Sequence, residues 1–234
     1  LGATEFFSGG AKLIPTGGAH GKLRPEEIEI VPEASCLSVT NATEAGTVYT
    51  LGELRALGEL ARAHKLRMHM DGARFANAIA TLGCSPAEAS WRAGVDILVF
   101  GGTKNGTACA DLLVVFDPAL AAEIAPRYHR SGHRPSKMRF LSAQLEALLT
   151  DDLWLRTARR TNALARRLAA GLDGVLHPVE ANIVFVRPRN LRALRDAGIL
   201  FHDWTLFGEG VIRLVAGFGT TEEEVDAVIA KMRG

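Results

Sequence analysis

Short apolar runs alternate with longer helical patterns along the first two thirds of the chain. The runs at 35–40 (SCLSVT) and 96–100 (DILVF) are bounded by turn residues, which is typical of strands buried on both faces. At 66–71 (LRMHMD) apolar and polar side chains alternate, so that Asp71 ends a strand. Open α/β sheets bind their ligands at this carboxyl end. The pattern predicts an α/β fold with a mostly parallel sheet.

Helix signals lie between these strands. Thr50 followed by Glu53 predicts a capping box, and the Asp-Pro pair at 117–118 predicts another helix start. Only 11 residues separate the apolar runs at 96–100 and 112–116, and a helical crossover between parallel strands needs about a dozen or more. We therefore expect these two strands to pair antiparallel.

The pattern changes near residue 153. A long Arg- and Ala-rich helical pattern begins there and ends near residue 172. Strand-like runs follow at 182–187 and 211–216, with a short helical pattern between them at 191–197. A final helix begins after Thr220 or Thr221. We predict a large α/β domain at 1–152 and a small α+β domain at 153–234.

Composition and charge narrow the classes of partner. Lys and Arg total 27 against 26 for Asp and Glu, and this net charge of +1 is too small to indicate binding to nucleic acid or to an anionic membrane. The apolar runs are about five residues long, far short of the roughly 20 that a membrane span needs. Cys36, Cys84 and Cys109 are odd in number and widely spaced, unlike a disulfide framework or a zinc cluster. We expect a cytoplasmic protein without nucleic-acid or membrane partners.

Lys104 lies in a glycine-rich turn (FGGTKNG) that follows a predicted strand. Three interpretations are open: a surface lysine, a phosphate-binding lysine, or a lysine that bonds covalently to a carbonyl group. The phosphate-loop pattern requires Gly-Lys-Ser/Thr, whereas Thr103 precedes Lys104 and Asn105 follows it. This departure weakens the phosphate-loop interpretation.

Asp71 lies 33 residues before Lys104, the spacing of a strand-helix-strand crossover. Pyridoxal phosphate chemistry needs a lysine and, in many enzymes, a carboxylate against the pyridine nitrogen. Asp-Gly is also an ordinary turn sequence, so a structural role for Asp71 stays open. His69 and Asp71 have no third ligand at a metal-site spacing, and we expect no metal.

Four segments together resemble the threonine aldolase family: TNATEAGTVYT, HMDGAR, FGGTKNG and SKMRFLSAQ. The resemblance extends from EFFSGG near the start to IRLVAGFGTTEEEVD near the end. This family is a branch of the fold-type-I pyridoxal phosphate enzymes and is grouped with the β-eliminating lyases. The resemblance implies part of a three-layer αβα large domain, a small C-terminal α+β domain, and a homo-oligomer, usually a dimer of dimers, with shared active sites.

The resemblance also implies roles for individual residues. Lys104 would bond to pyridoxal phosphate, and Asp71 would pair with its pyridinium nitrogen. Arg74 and Arg213 would bind the substrate carboxylate, for which the planar guanidinium is suited.

Further residues have less direct implied roles. Thr103 would help to hold the phosphate, and Arg139 would reach toward the cofactor phosphate of a neighbouring subunit, with Lys137 a weaker candidate. Asn41 would lie near the substrate hydroxyl or shape its turn. His69 has the residue type of a catalytic base, but we interpret it as a structural strand residue.

The implied reaction is cleavage of L-threonine, L-allo-threonine and related β-hydroxy-α-amino acids to glycine and an aldehyde. An eliminating pyridoxal phosphate lyase stays open, as does a chain that only folds or oligomerises. Family members have about a hundred further N-terminal residues that hold a phosphate-binding loop and a histidine stacked on the cofactor, and this chain opens with Leu1 rather than Met. We therefore expect a truncated chain that binds the cofactor poorly and has little activity.

Overall fold

Two separate β-sheets organise residues 2–233, which are the residues described by a computed structural model. The strands are β1 (Cys36–Thr40), β2 (Arg67–Gly72), β3 (Ile97–Phe100), β4 (Leu112–Val115), β5 (Ile183–Val186), β6 (His202–Asp203) and β7 (Ile212–Val215). The α-helices are α1 (Ala3–Phe7), α2 (Leu51–Ala63), α3 (Phe75–Leu82), α4 (Pro118–Arg130), α5 (Arg139–Leu149), α6 (Leu153–Ala170), α7 (Leu191–Asp196) and α8 (Glu222–Arg233). None of these helices is both long enough and apolar enough to cross a membrane.

The first sheet has the strand order β1-β2-β3-β4. Strands β1, β2 and β3 run parallel, and β4 pairs antiparallel with β3. Both the mostly parallel sheet and the antiparallel neighbour are as the sequence predicts. Helix α2 begins at the predicted capping box, in which Thr50 Oγ1 accepts from Glu53 N at 3.2 Å and Glu53 Oε2 accepts from Thr50 N at 2.6 Å.

Helices α2 and α3 cover the same face of this sheet. Helix α2 connects β1 to β2 and α3 connects β2 to β3, so both connections lead to the next strand in the same direction along the sheet. Because such connections are right-handed, they place both helices on one side of the sheet. The core of that side contains the strand residues Leu37, Val39, Met68, Met70, Leu98 and Phe100. On the opposite face Cys36 and Ser38 are exposed and His69 is half-buried. The expectation of burial on both faces is therefore wrong for the described strand at 35–40, whereas at 96–100 this face is half-buried, at Ile97 and Val99.

The second sheet is antiparallel, with the order β5-β7-β6. Its core includes Val184, Ile212 and Leu214 from the strands together with residues of α6, α7 and α8. Helix α6 contributes residues to both cores. Trp154 and Ala158 pack in the core of the first sheet. Leu164, Ala165 and Leu168 pack in the core of the second sheet. The division of the chain at 152/153 stays a prediction.

Candidate active site

The loops that leave β2 and β3 pack directly on each other. Gly101 N donates a hydrogen bond to Gly72 O at 3.0 Å. A Cβ atom on Gly101 would lie 2.6 Å from Ala73 Cα, and one on Gly72 would lie 2.5 Å from Val99 O. Side chains cannot be accommodated at these backbone contacts. Glycine therefore brings the loop of Asp71 against the loop of Lys104.

Asp111 fixes the start of the Lys104 loop. Its Oδ1 accepts hydrogen bonds from Gly102 N at 2.7 Å, from Thr103 N at 3.0 Å and from Thr103 Oγ1 at 3.1 Å. On the other side, Asn105 Nδ2 donates to Trp154 O at 2.9 Å. Lys104 is exposed between these two anchors. The role of Asp111 was not predicted, because nothing local in the sequence indicates which backbone groups its carboxylate meets.

Five charged side chains form an electrostatic cluster around this loop: Lys104, Asp71, Arg74, Arg213 and Glu44. Desolvation lowers the pKa of Lys104, and the positive charges of Arg74 and Arg213 lower it further, while Glu44 and Asp71 oppose them. Burial also lowers the pKa of Arg74, followed by repulsion from Arg213. The structure thus brings together four residues that the sequence analysis singled out. Glu44 is the fifth member of the cluster, and it was not predicted from the sequence.

Arg74 is held from the second sheet. It is 6% exposed, and its Nε donates to Asn182 Oδ1 at 3.0 Å. Asn182 is itself buried and donates through Nδ2 to Ala216 O at 2.9 Å. Among the described residues, no hydrogen bond engages the terminal nitrogens of Arg74. Asn182 therefore fixes one edge of the guanidinium and leaves the other for a ligand.

Arg213 and Asn41 each carry a buried donor without a partner in the described part of the chain. The guanidinium carbon of Arg213 lies 4.9 Å from the centroid of the Trp204 ring, and its Nε is unpaired. Asn41 Oδ1 accepts from Tyr49 N at 3.2 Å, but Asn41 Nδ2 is unpaired. An unsatisfied buried donor costs about 1–3 kcal/mol. Both atoms are therefore suited to donate to oxygen atoms of a bound anion.

Asp71 and Asn41 are neighbours at the carboxyl edge of the sheet. Asn41 N donates to Asp71 O at 2.9 Å, which continues the pairing of β1 with β2. The Asp71 side chain is half-buried, and its Oδ1 accepts from Ala73 N at 2.8 Å. This bond gives the carboxylate a fixed orientation in the turn.

Three residues considered from the sequence lie apart from the charged cluster. Arg139 begins α5 and is exposed, with its guanidinium carbon 4.6 Å from the Phe140 ring centroid, and Lys137 is exposed as well. His69 Nδ1 lies 2.9 Å from Ser38 Oγ, on the neighbouring strand. Burial lowers the pKa of His69, and Asp71 partly opposes this effect.

Comparison of the sequence with known proteins identifies its relatives. The family model described as Beta-eliminating lyase matches residues 1–190. The "Low specificity L-threonine aldolase" of Pseudomonas aeruginosa is 43% identical over 248 residues, which cover 99% of this chain and 71% of that protein. These matches confirm the resemblance inferred from the four segments.

Solved structures agree with this fold. A threonine aldolase from Leishmania major has a TM-score of 0.87 at 24% identity, over 97% of this chain and 71% of that one. A PLP-dependent aminotransferase from Streptococcus suis has a TM-score of 0.65 at 20% identity, over 86% of this chain and 57% of that one. The fold class is therefore that of the fold-type-I pyridoxal phosphate enzymes, and the chain belongs to the beta-eliminating lyase family.

Proposed function

We propose that this chain cleaves the Cα–Cβ bond of L-threonine, L-allo-threonine and related β-hydroxy-α-amino acids, giving glycine and an aldehyde. The observation that carries this proposal is the packing of the Lys104 loop on the Asp71 loop, through the hydrogen bond from Gly101 N to Gly72 O. The charges of Arg74 and Arg213 act on Lys104 there and lower its pKa. The names of the relatives, low specificity L-threonine aldolases, support the choice of substrate.

The residues present fit pyridoxal phosphate, the cofactor of this family. A lysine whose pKa is lowered offers a neutral amine to an aldehyde, and Asp71 offers a fixed carboxylate to a ring nitrogen. The unpaired donor Asn41 Nδ2 suits an oxygen substituent of an anionic ligand. When bound, the cofactor supplies an electron-accepting ring for the electron pair released at Cα.

The protein residues orient the substrate for this step. Arg74 and Arg213 bind its α-carboxylate from two sides, since planar guanidinium groups pair with carboxylates through parallel hydrogen bonds. Holding the carboxylate from both arginines would restrict rotation of the substrate and so orient its Cα–Cβ bond for cleavage. The carboxylate of Asp71, oriented by its bond to Ala73 N, would hold the ring nitrogen.

Further assignments belong to the same proposal. Asp111 accepts from both Thr103 N and Thr103 Oγ1, so Thr103 would help to hold the phosphate by exchanging one of these bonds for a phosphate oxygen. Arg139, which is exposed, would reach a neighbouring subunit of a dimer of dimers. Asn41 would contact the substrate or the cofactor. We propose cytoplasmic localisation and a boundary between the two domains at 152/153.

Product analysis tests the proposed function. The purified chain is incubated with excess pyridoxal phosphate and L-threonine, and glycine, acetaldehyde and 2-oxo acid are quantified. Equal amounts of glycine and acetaldehyde are the expected result. A 2-oxo acid would instead indicate an eliminating lyase, and a chain that oligomerises without binding the cofactor would indicate no enzymatic role.

Asn182→Ala should weaken substrate binding more than it slows the reaction. The substitution removes the acceptor that fixes Arg74, so KM for L-threonine is expected to rise about tenfold with a smaller change in kcat. Steady-state kinetics measure both parameters. Asn190→Ala is the control, because it removes the acceptor that caps α7, at a cost of about 1 kcal/mol, without touching Arg74. Equal KM values in the two variants would contradict this role of Asn182.

A further inference from the structure

Glu44 is the single exposed residue in the segment 41–49, whose other members are all buried. The segment follows β1 directly and forms a tight turn in which Gly46 N donates to Thr43 O at 3.0 Å. Glu44 occupies the second position of this turn. The fold therefore buries the segment on either side and presents one carboxylate to the outside.

Hydrogen bonds hold this turn firmly from within. Thr43 N donates to Thr47 O at 2.9 Å, and the Oγ1 atoms of the two threonines lie 2.7 Å apart. His20 O accepts from Thr47 Oγ1 at 2.7 Å. The backbone that carries Glu44 is thus fixed in position, as a residue that acts on a substrate requires.

The same turn is attached to both halves of the site. Asn41 N is bonded to Asp71 O at the edge of the first sheet. Gly46 O accepts from Ala181 N at 2.9 Å, and Ala181 precedes Asn182, the residue that holds Arg74. Glu44 therefore projects from a turn anchored beside the lysine loop and beside the arginine.

The charges near Glu44 also indicate that its carboxylate belongs to the site. In the described part of the chain, the Glu44 carboxylate makes no hydrogen bond and no ion pair, although its charge acts on both Lys104 and Arg74. Three cationic side chains and two carboxylates make up the cluster, and Asp71 is oriented by its own turn. Glu44 is thus the one carboxylate of the cluster that no described residue orients or pairs.

We propose that Glu44 accepts the proton of the substrate β-hydroxyl during cleavage, an inference that rests on the proposed function. The O–H bond breaks, and its proton moves to a carboxylate oxygen of Glu44. The electron pair of that bond forms the C=O of the departing aldehyde, while the Cα–Cβ bond breaks and leaves its electron pair at Cα. A proton from solvent then adds at Cα to give glycine, and Glu44 releases its proton to solvent.

Glu44→Gln separates this role from a general electrostatic one. Glutamine keeps the size of the side chain but accepts no proton, so kcat for L-threonine cleavage is expected to fall about hundredfold or more. Glycine has no β-hydroxyl, and exchange of its α-proton with deuterated water, followed by NMR, should stay within about twofold of the parent chain. Glu59→Gln, an exposed glutamate on α2, is the matched control.

A binding measurement completes the test independently of turnover. L-threonine and L-2-aminobutyrate differ only in the hydroxyl group, and their dissociation constants are compared from the initial absorbance change on rapid mixing with the cofactor-loaded chain. Glu44→Gln should lower the preference for L-threonine about tenfold, because a charged acceptor is lost. Glu44→Asp should retain part of it.

Two results would overturn this role for Glu44. One is an equal loss of cleavage and of glycine exchange, and the other is unchanged cleavage in Glu44→Gln. If the parent chain cleaves no L-threonine, the proposed function is wrong. The binding preference still tests the contact between Glu44 and the hydroxyl group, and an equal preference for L-threonine in the parent chain and in Glu44→Gln would contradict that contact.

Discussion

Lys104→Ala is expected to abolish covalent attachment of pyridoxal phosphate and to lower amino-acid cleavage by about a thousandfold or more. Partial desolvation and the charges of Arg74 and Arg213 lower the pKa of this lysine, so that a neutral amine is available at lower pH than for a lysine free of these influences. Alanine has no amine that could replace it. The visible absorption band of the lysine-bound cofactor, measured on addition of pyridoxal phosphate, reports the attachment.

Lys231→Ala is the matched control for this substitution. Lys231 is exposed on α8 and is not among the charges that act on Lys104, so its removal should leave the band unchanged. Borohydride reduction followed by peptide mass spectrometry should locate the cofactor on the peptide that contains Lys104. A band that survives Lys104→Ala would mean that another lysine bonds to the cofactor.

Gly101→Ala should separate the two loops that form the site. The new Cβ would lie 2.6 Å from Ala73 Cα and from Ala73 O, and backbone atoms cannot give way as a flexible side chain does. We expect a loss of about 1–3 kcal/mol in the free energy of unfolding, together with weaker cofactor binding. Chemical denaturation and cofactor titration measure the two effects.

Gly219→Ala supplies the comparison for that variant. A Cβ at Gly219 meets no atom within 4 Å, and the same glycine-to-alanine change should therefore be tolerated there. If Gly101→Ala were as stable as Gly219→Ala and bound the cofactor equally well, close packing of the two loops would not be what positions Lys104.

Local patterns in the sequence predict much of the first sheet. The capping box at Thr50, the strand that ends at Asp71 and the short connection before β4 all depend on residues close together in the chain. Because parallel strands end at one edge of a sheet, the pairing of Asp71 with Lys104 could be inferred as well.

The sequence could not predict contacts between distant segments. Asn182 lies 108 residues from Arg74, and its bond to that arginine depends on how the second sheet meets the first. Glu44 is one of many glutamates in the sequence, and only the burial of its neighbours distinguishes it. The partly uncovered face of the first sheet was also missed, because short apolar strands do not reveal on which side their crossover helices lie.

Helix α6 affects the distance between the guanidinium groups of Arg74 and Arg213. Arg74 follows the first sheet and Arg213 belongs to the second, whereas α6 packs its first turns in one core and its later turns in the other. An α-helix rises about 1.5 Å and turns about 100° per residue, so one residue inserted between Ala158 and Leu164 would shift and rotate one core against the other. The length of α6 between its contacts with the two cores therefore contributes to the spacing of the two guanidinium groups.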